Sequence, residues 1–218
     1  MIIKFYDIIS VGCGCMNNKY LTNNGQSKIN DEIKEFCKCI PDINNINDLV
    51  ELDKIFYNTF TRDTSTIKFE RTVIDIFNSK TFSGCSDIGF MICSILREKN
   101  IPTIYVETAH IDWLKSIDLD LEDKEIMRGH IFLEIYVNNK WYLYDPTYHI
   151  VYDNYDNTNN NYPRGYYVFA KGENAHFLGV HTIADEKELA LKLLKDYDYN
   201  SYIDPKYEEI NINSRQIK

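Results

Sequence analysis

From residue 47 onward the chain switches from a helical spacing of apolar residues to a two-residue alternation, and that order sets the architecture. "INDLVELDKIFYNTF" carries apolar residues at helical spacing, with Asn47 or Asp48 able to cap the first turn. "TSTIKFERTVIDIF" repeats the pattern, with Phe69, Val73, Ile76 and Phe77 on one side. In "FSGCSDIGFMICSILREKNIPTIYV", Ile88, Met91, Ile92, Ile95 and Leu96 form a stripe that predicts a buried helix face. Pro102 ends that helix, and "IPTIYVETA" predicts a β-branched strand. Residues 109–128 read as a connection with a short helix around Trp113. "GHIFLEIYV" and "KWYLYDPT" predict two strands of a hairpin turning at Asn138–Asn139. "DNYDNTNNNYPRG" reads as a surface loop and "YYVFA" as a further strand. "TIADEKELALKLLKDY" reads as a closing helix with a Thr182/Asp185 capping box. Helices followed by an antiparallel sheet define an α+β class. The segment before residue 47 is different, because "MNNKYLTNNGQSKIND" is polar and turn-prone and "PDINNIND" closes it. The expected organisation is a loop-rich N-terminal extension over 1–46 and a main domain over 47–218.

Composition narrows the classes of function. Hydrophobic residues make up 44% and aromatics 14%, with 17 tyrosines, which supports a sizeable core. A net charge of −9 with no basic cluster argues against nucleic acid or an anionic membrane as partner. No apolar run approaches the ~20 residues of a membrane helix. Lys4, Tyr6 and Asp7 interrupt "MIIKFYDIISVGCGC", so it reads as ordinary N-terminal structure, and a cytoplasmic location is expected. Cys13, Cys15, Cys37 and Cys39 form two Cys-x-Cys pairs, tighter than the roughly two-to-four-residue gaps of structural zinc sites. No metal is expected there. His149, His176 and His181 have no helical partner four residues away and point to no metal either.

The candidate chemistry starts at Cys85, which follows Gly84 and opens the third predicted helix. Unpaired backbone N–H groups and the helix dipole favour negative charge at that position. Cys93 is turned roughly 80° away around the helix and reads as a small core residue. A base is available in His130. If Asn138 and Asn139 form a two-residue turn, Val137 pairs with Lys140, Phe132 faces Asp145 and His130 faces Thr147. His130 and Asp145 then become diagonal neighbours on one face, so a carboxylate can hold one imidazole nitrogen while the other meets a thiol.

These segments resemble the transglutaminase-like superfamily, whose fold is similar to that of papain-type enzymes. The resemblance is carried by "SGCSDIGFMICSILREKNIPTIYV" and "GHIFLEIYVNNKWYLYDPT". In order, they supply a Gly-Cys opening a helix, a His opening a strand and an Asp-Pro-Thr closing the next. "YYVFAKGENAHFLGV" is similar to bacterial members, and "KNIP" departs from the family's Gly-Ile-Pro at a turn. The resemblance implies a papain/transglutaminase-like core with Cys85 as nucleophile, His130 as base and Asp145 as orienting acid. It implies acyl transfer at a peptide or protein amide through a thioester, without metal or organic cofactor. Hydrolysis, as in a cysteine protease or amidase, is the preferred outcome. An amine acceptor would make the protein a transglutaminase, and an idle fold would make it a binding module. Papain-like enzymes place a glutamine shortly before the cysteine as an oxyanion donor, whereas this chain has only Gln26 and Gln216. The Cys85 N–H supplies one donor, and the second has no assigned residue. Asp87 reads as a helix-dipole partner and Glu134 as a structural ion-pair or hydrogen-bond partner. His110 and Trp113 lie on a segment expected to pass near the cleft.

Overall fold

In the computed structural model, which describes residues 18–65, 68–119 and 127–213, the Asn138–Asn139 turn fixes the centre of the sheet. Both asparagines adopt left-handed backbone, with φ of 50° and 62°. That is the geometry of a two-residue hairpin, which Asn tolerates better than most side chains. It joins β4 (Gly129–Val137) to β5 (Lys140–Asp145), with Val137 opposite Lys140 and Leu133 opposite Tyr144. This is the register expected from the sequence.

The remaining strands build outward from that hairpin. β3 (Thr103–His110) pairs with β4 on one side and with β8 (Tyr166–Gly172) on the other. β6 (Ile150–Asp153) returns beside β5. β7 (Asn161–Tyr162) and β9 (Glu208–Asn211) close the two edges. The resulting seven-stranded sheet has the order β7-β8-β3-β4-β5-β6-β9, with every neighbouring pair antiparallel. A separate two-residue parallel pair joins β1 (Thr61–Arg62) and β2 (Thr81–Phe82).

The described helices are α1 (Asp31–Lys38), α2 (Leu49–Thr59), α3 (Val73–Ser79), α4 (Cys85–Glu98), α5 (Ile111–Asp118) and α6 (Ile183–Leu194). The fold is thus mixed α and β around one antiparallel sheet. α4 was expected to bury one stripe, but every residue from Ser86 to Arg97 is buried. Its second side is covered by residues the hydrophobic pattern did not announce. Ile33 and Cys37 of α1, together with Ile40, Ile43 and Ile46, join the core that holds α4. Ser94 Oγ also donates to Ser27 O at 3.1 Å. α1 forms because the Asn30 side chain accepts the Ile33 N–H and Asp31 and Glu32 occupy the first turn.

Two helix starts differ from the sequence reading. Asn45, not Asn47 or Asp48, provides the cap before α2, in a capping box with Asp48. The pattern in "TSTIKFERTVIDIF" becomes a helix only from Val73, because Thr72 and Asp75 form a capping box there. Phe69 lies outside the helix with φ of 67°, yet it still reaches the core and meets Phe90 at 6.4 Å. Apolar spacing reported burial correctly and the backbone state incorrectly.

Gly89 lets α4 sit close on the sheet. A Cβ at Gly89 would lie 2.7 Å from Ile131 Cγ2 and 3.2 Å from Tyr105 Cε2. Gly89→Ala is therefore expected to push the start of α4 away from β4. The overpacking costs about 1–3 kcal/mol despite the better helix propensity of Ala. Urea unfolding would measure that loss, and slower alkylation of Cys85 would report the displacement.

Candidate active site

Cys85 is the first residue of α4, and the turn before it is clamped from the side. Asp87 is fully buried and accepts the Ser83 N–H at 2.8 Å, Ser83 Oγ at 3.0 Å and Arg71 Nη1 at 3.1 Å. Arg71 also donates to Thr81 O at 3.0 Å, tying β2 to the same turn. Asp87 thus supports the position of Cys85 through hydrogen bonds as well as through the helix dipole.

His130 enters from the opposite side, at the start of β4. Its Nε2 is 2.8 Å from Asp145 Oδ2, the diagonal contact that the hairpin register allows. Cys85 lies within electrostatic reach of the same imidazole. With Nε2 held by Asp145, Nδ1 is the ring nitrogen left to meet the thiol. The structure therefore brings Cys85, His130 and Asp145 together. His130 is 5% exposed and Asp145 is 0% exposed. Burial pushes the imidazole towards the neutral form, but the Asp145 charge and hydrogen bond, with the Cys85 interactions, outweigh it and raise His130 to about 9.

Asp145 is held on both oxygens. Oδ1 accepts the Thr147 and Tyr148 N–H groups, each at 3.1 Å, so "DPTY" forms its own cradle. Oδ2 accepts from His130 and from Arg164 Nη2. Arg164 comes from "NYPRG", which the sequence placed in a surface loop. Part of that loop forms β7, and the turn after it delivers the guanidinium. Aromatic rings enclose the imidazole, with Phe132 at 4.9 Å, Tyr166 at 5.2 Å and Tyr148 at 5.6 Å. Tyr148 is 54% exposed and forms an open rim.

On the α4 side of the sheet, Tyr105 and Glu107 lie within electrostatic reach of Cys85. Neither the Tyr105 hydroxyl nor the Glu107 oxygens have a hydrogen-bond partner of good geometry. Burial, reinforced by the neighbouring Glu186, pushes Glu107 well above the usual carboxylate range, and burial raises Glu186 to about 7. Burial thus favours the protonated form of Glu107.

The other sequence candidates are held elsewhere. Trp113 is buried in the cluster containing Phe169 and Leu194. His110 caps α5 by accepting the Asp112 N–H at 3.1 Å and meets the Tyr166 ring at 5.1 Å, one ring away from His130. Glu134 accepts from Tyr162 at 2.6 Å, from Lys171 at 2.5 Å and from Tyr155, which is a structural network. His149 contacts Asp53 at 2.6 Å, and His176 lies 2.9 Å from Phe69 O. Gln26 Nε2 donates to Phe69 O and Arg71 O at 2.9 and 3.1 Å, bracing that loop. Gln216 lies outside the described residues.

Cys37 is buried, which pushes its thiol up to about 12, whereas Cys39 is exposed. Burial also raises Cys93. Cys13 and Cys15 lie outside the described residues. Among the described residues no three His, Cys, Asp or Glu side chains are grouped to hold a metal, and no helix is long and apolar enough to cross a membrane.

No protein-family model matches this chain, and no curated protein matches it. Three chains of solved structures do match. One is a protein from Cytophaga hutchinsonii provisionally assigned as a cysteine protease, with 16% identity and a TM-score of 0.49 over 74% of this chain and 48% of that one. This chain thus spans about half the length of that neighbour.

Proposed function

We propose that this protein is a cysteine-dependent amide hydrolase with a transglutaminase-like, papain-type core. The observation that carries the reading is the enclosed dyad of His130 and Asp145, 2.8 Å apart, with Cys85 at a helix start within electrostatic reach of the imidazole. In this reading the Cys85 proton rests on His130, and the sulfur attacks the amide carbonyl. The C–N bond then breaks, His130 delivers its proton to the departing amine, and a thioester remains on Cys85. His130 next takes a proton from water, whose oxygen attacks the thioester, releasing the acid and restoring the thiol. Asp145 fixes the ring orientation and balances the imidazolium throughout. If an amine replaces water in the second half, the product is a new amide.

Cysteine-by-cysteine labelling with iodoacetamide tests the centre of this proposal. Cys39 is exposed and Cys85 is only half-buried, so accessibility alone favours Cys39. The expected result is faster labelling of Cys85 at pH 6 to 7. A screen of fluorogenic peptide amides, with and without an added primary amine, would then separate hydrolysis from transfer. Labelling of Cys85 no faster than Cys39 would overturn the enzyme reading and favour a binding module.

A further inference from the structure

We infer that Arg164 is a positioning residue for the Cys85–His130–Asp145 arrangement, acting through the carboxylate oxygen it shares with the imidazole. The inference rests on the acyl-transfer reading. Three observations support it. First, Arg164 Nη2 and His130 Nε2 both engage Asp145 Oδ2, while two backbone N–H groups occupy Oδ1. A carboxylate offers about four lone-pair directions, so Asp145 is saturated and cannot turn away. Second, the guanidinium lies 4.0 Å over the Tyr148 ring and 5.6 Å over the Phe132 ring, two of the three rings that enclose His130.

Third, the backbone of Arg164 is held in a conformation it would not otherwise adopt. Its φ and ψ are 65° and 32°, in the left-handed region, and it is followed by Gly165 with φ of 80°. A β-carbon at Gly165 would lie 2.8 Å from His110 Nε2, so only glycine fits there. A left-handed non-glycine residue persists where its surroundings over-determine it. Here the Arg164 N–H donates to Asp204 Oδ1 at 3.0 Å and the Gly165 N–H to Tyr202 Oη at 2.9 Å. Tyr202 Oη in turn donates to Tyr162 O at 2.7 Å. Residues 202–204 thus pin the turn that carries the guanidinium to Asp145.

The consequence is electrostatic. A lone aspartate beside His130 would hold the proton tightly on the imidazole. A cation on the same oxygen draws off part of that attraction, leaving His130 readier to hand its proton to a departing amine. The charged or titratable groups facing His130 are Asp145 from β5, Cys85 from α4, the rings of Tyr148 and Tyr166, and Arg164 through Asp145.

The test is an NMR titration of the His130 ring nitrogens, which requires no substrate and no turnover. In the unaltered protein the midpoint is expected at about 9. Arg164→Gln is expected to raise it by about one unit, and Arg164→Lys to restore it to within about half a unit. Asp204→Asn, which reaches the site only through the turn, is expected to shift it the same way by less. If Arg164 merely packed on Tyr148, its loss would leave the Asp145–His130 pair, and so the midpoint, unchanged. An unchanged or lowered midpoint in folded Arg164→Gln therefore overturns the inference, as does a normal midpoint in Asp204→Asn should Arg164→Gln fail to fold. Failure of the hydrolase reading is seen separately, in Cys85 labelling that does not depend on His130.

Discussion

Replacing His130 by alanine is expected to slow iodoacetamide labelling of Cys85 at pH 7 by roughly 10- to 30-fold, while Cys39 labels at an unchanged rate. A free thiol, with a pKa of ~8.5, is only a few per cent ionised at that pH, and the thiolate is the nucleophile. In the proposed mechanism the proton belongs to His130, which is raised to about 9 by Asp145 and by Cys85 itself against the opposing effect of burial. Removing the ring removes the proton's resting place. Any amidase turnover should fall further, by about 10²–10⁴-fold, because the leaving amine also loses its proton donor. Mass spectrometry of the labelled peptides gives the first number, and a progress curve with Cys85→Ala as the zero gives the second. Equal labelling of Cys85 in both proteins would mean that the dyad does not act on the thiol.

Asp145→Ala is expected to have the largest effect on stability. Asp145 is fully buried and stands between His130 and Arg164, which are 6% and 29% exposed in their side chains. Its removal leaves two cationic groups near one another with no counter-charge. Breaking a buried pair in this way costs about 3–5 kcal/mol. The deficit should depend on pH with a defined sign. Folding raises His130 from its ordinary 6.5 to about 9, so the stabilisation it reports is complete below 6.5 and is lost as the pH rises through 9. The gap between the two proteins should therefore be widest below pH 6.5 and narrow towards pH 10, by on the order of 3 kcal/mol at most. Urea midpoints across that range would show it. A gap that stays constant with pH would mean that Asp145 acts mainly through Arg164 and the Thr147–Tyr148 cradle.

The part of the site legible in the sequence was the part fixed by short-range rules. Two asparagines between alternating strands set a hairpin, the hairpin set the register, and the register placed His130 diagonal to Asp145. A glycine and cysteine before an apolar stripe set a helix start. Arg164 followed none of these rules. It reaches Asp145 from 19 residues away through a left-handed turn held by Tyr202 and Asp204, and no periodicity announces such a turn. The sequence "YPRG" did carry a turn signal, but not the direction in which the arginine would point. β6 and β9 were missed for a related reason. Each is four residues long, and their edge pairing, Val151 opposite Ile210, joins segments about 60 residues apart.

The enclosure of α4 on all sides also bears on when the site exists. This helix is covered by α1 and Ser27, which precede it, and by β3 and β4, which follow it. Its amides should consequently exchange with solvent only through openings close to global unfolding, whereas the N–H groups of Arg164 and Gly165, held by exposed Asp204 and half-buried Tyr202, should open far more often. Each such opening withdraws Arg164 and leaves Cys85 and His130 in place. Two populations of native molecules would then interconvert, alike in fold and unlike in the proton affinity of one imidazole. A ligand that favours the closed turn would select between them without moving the helix.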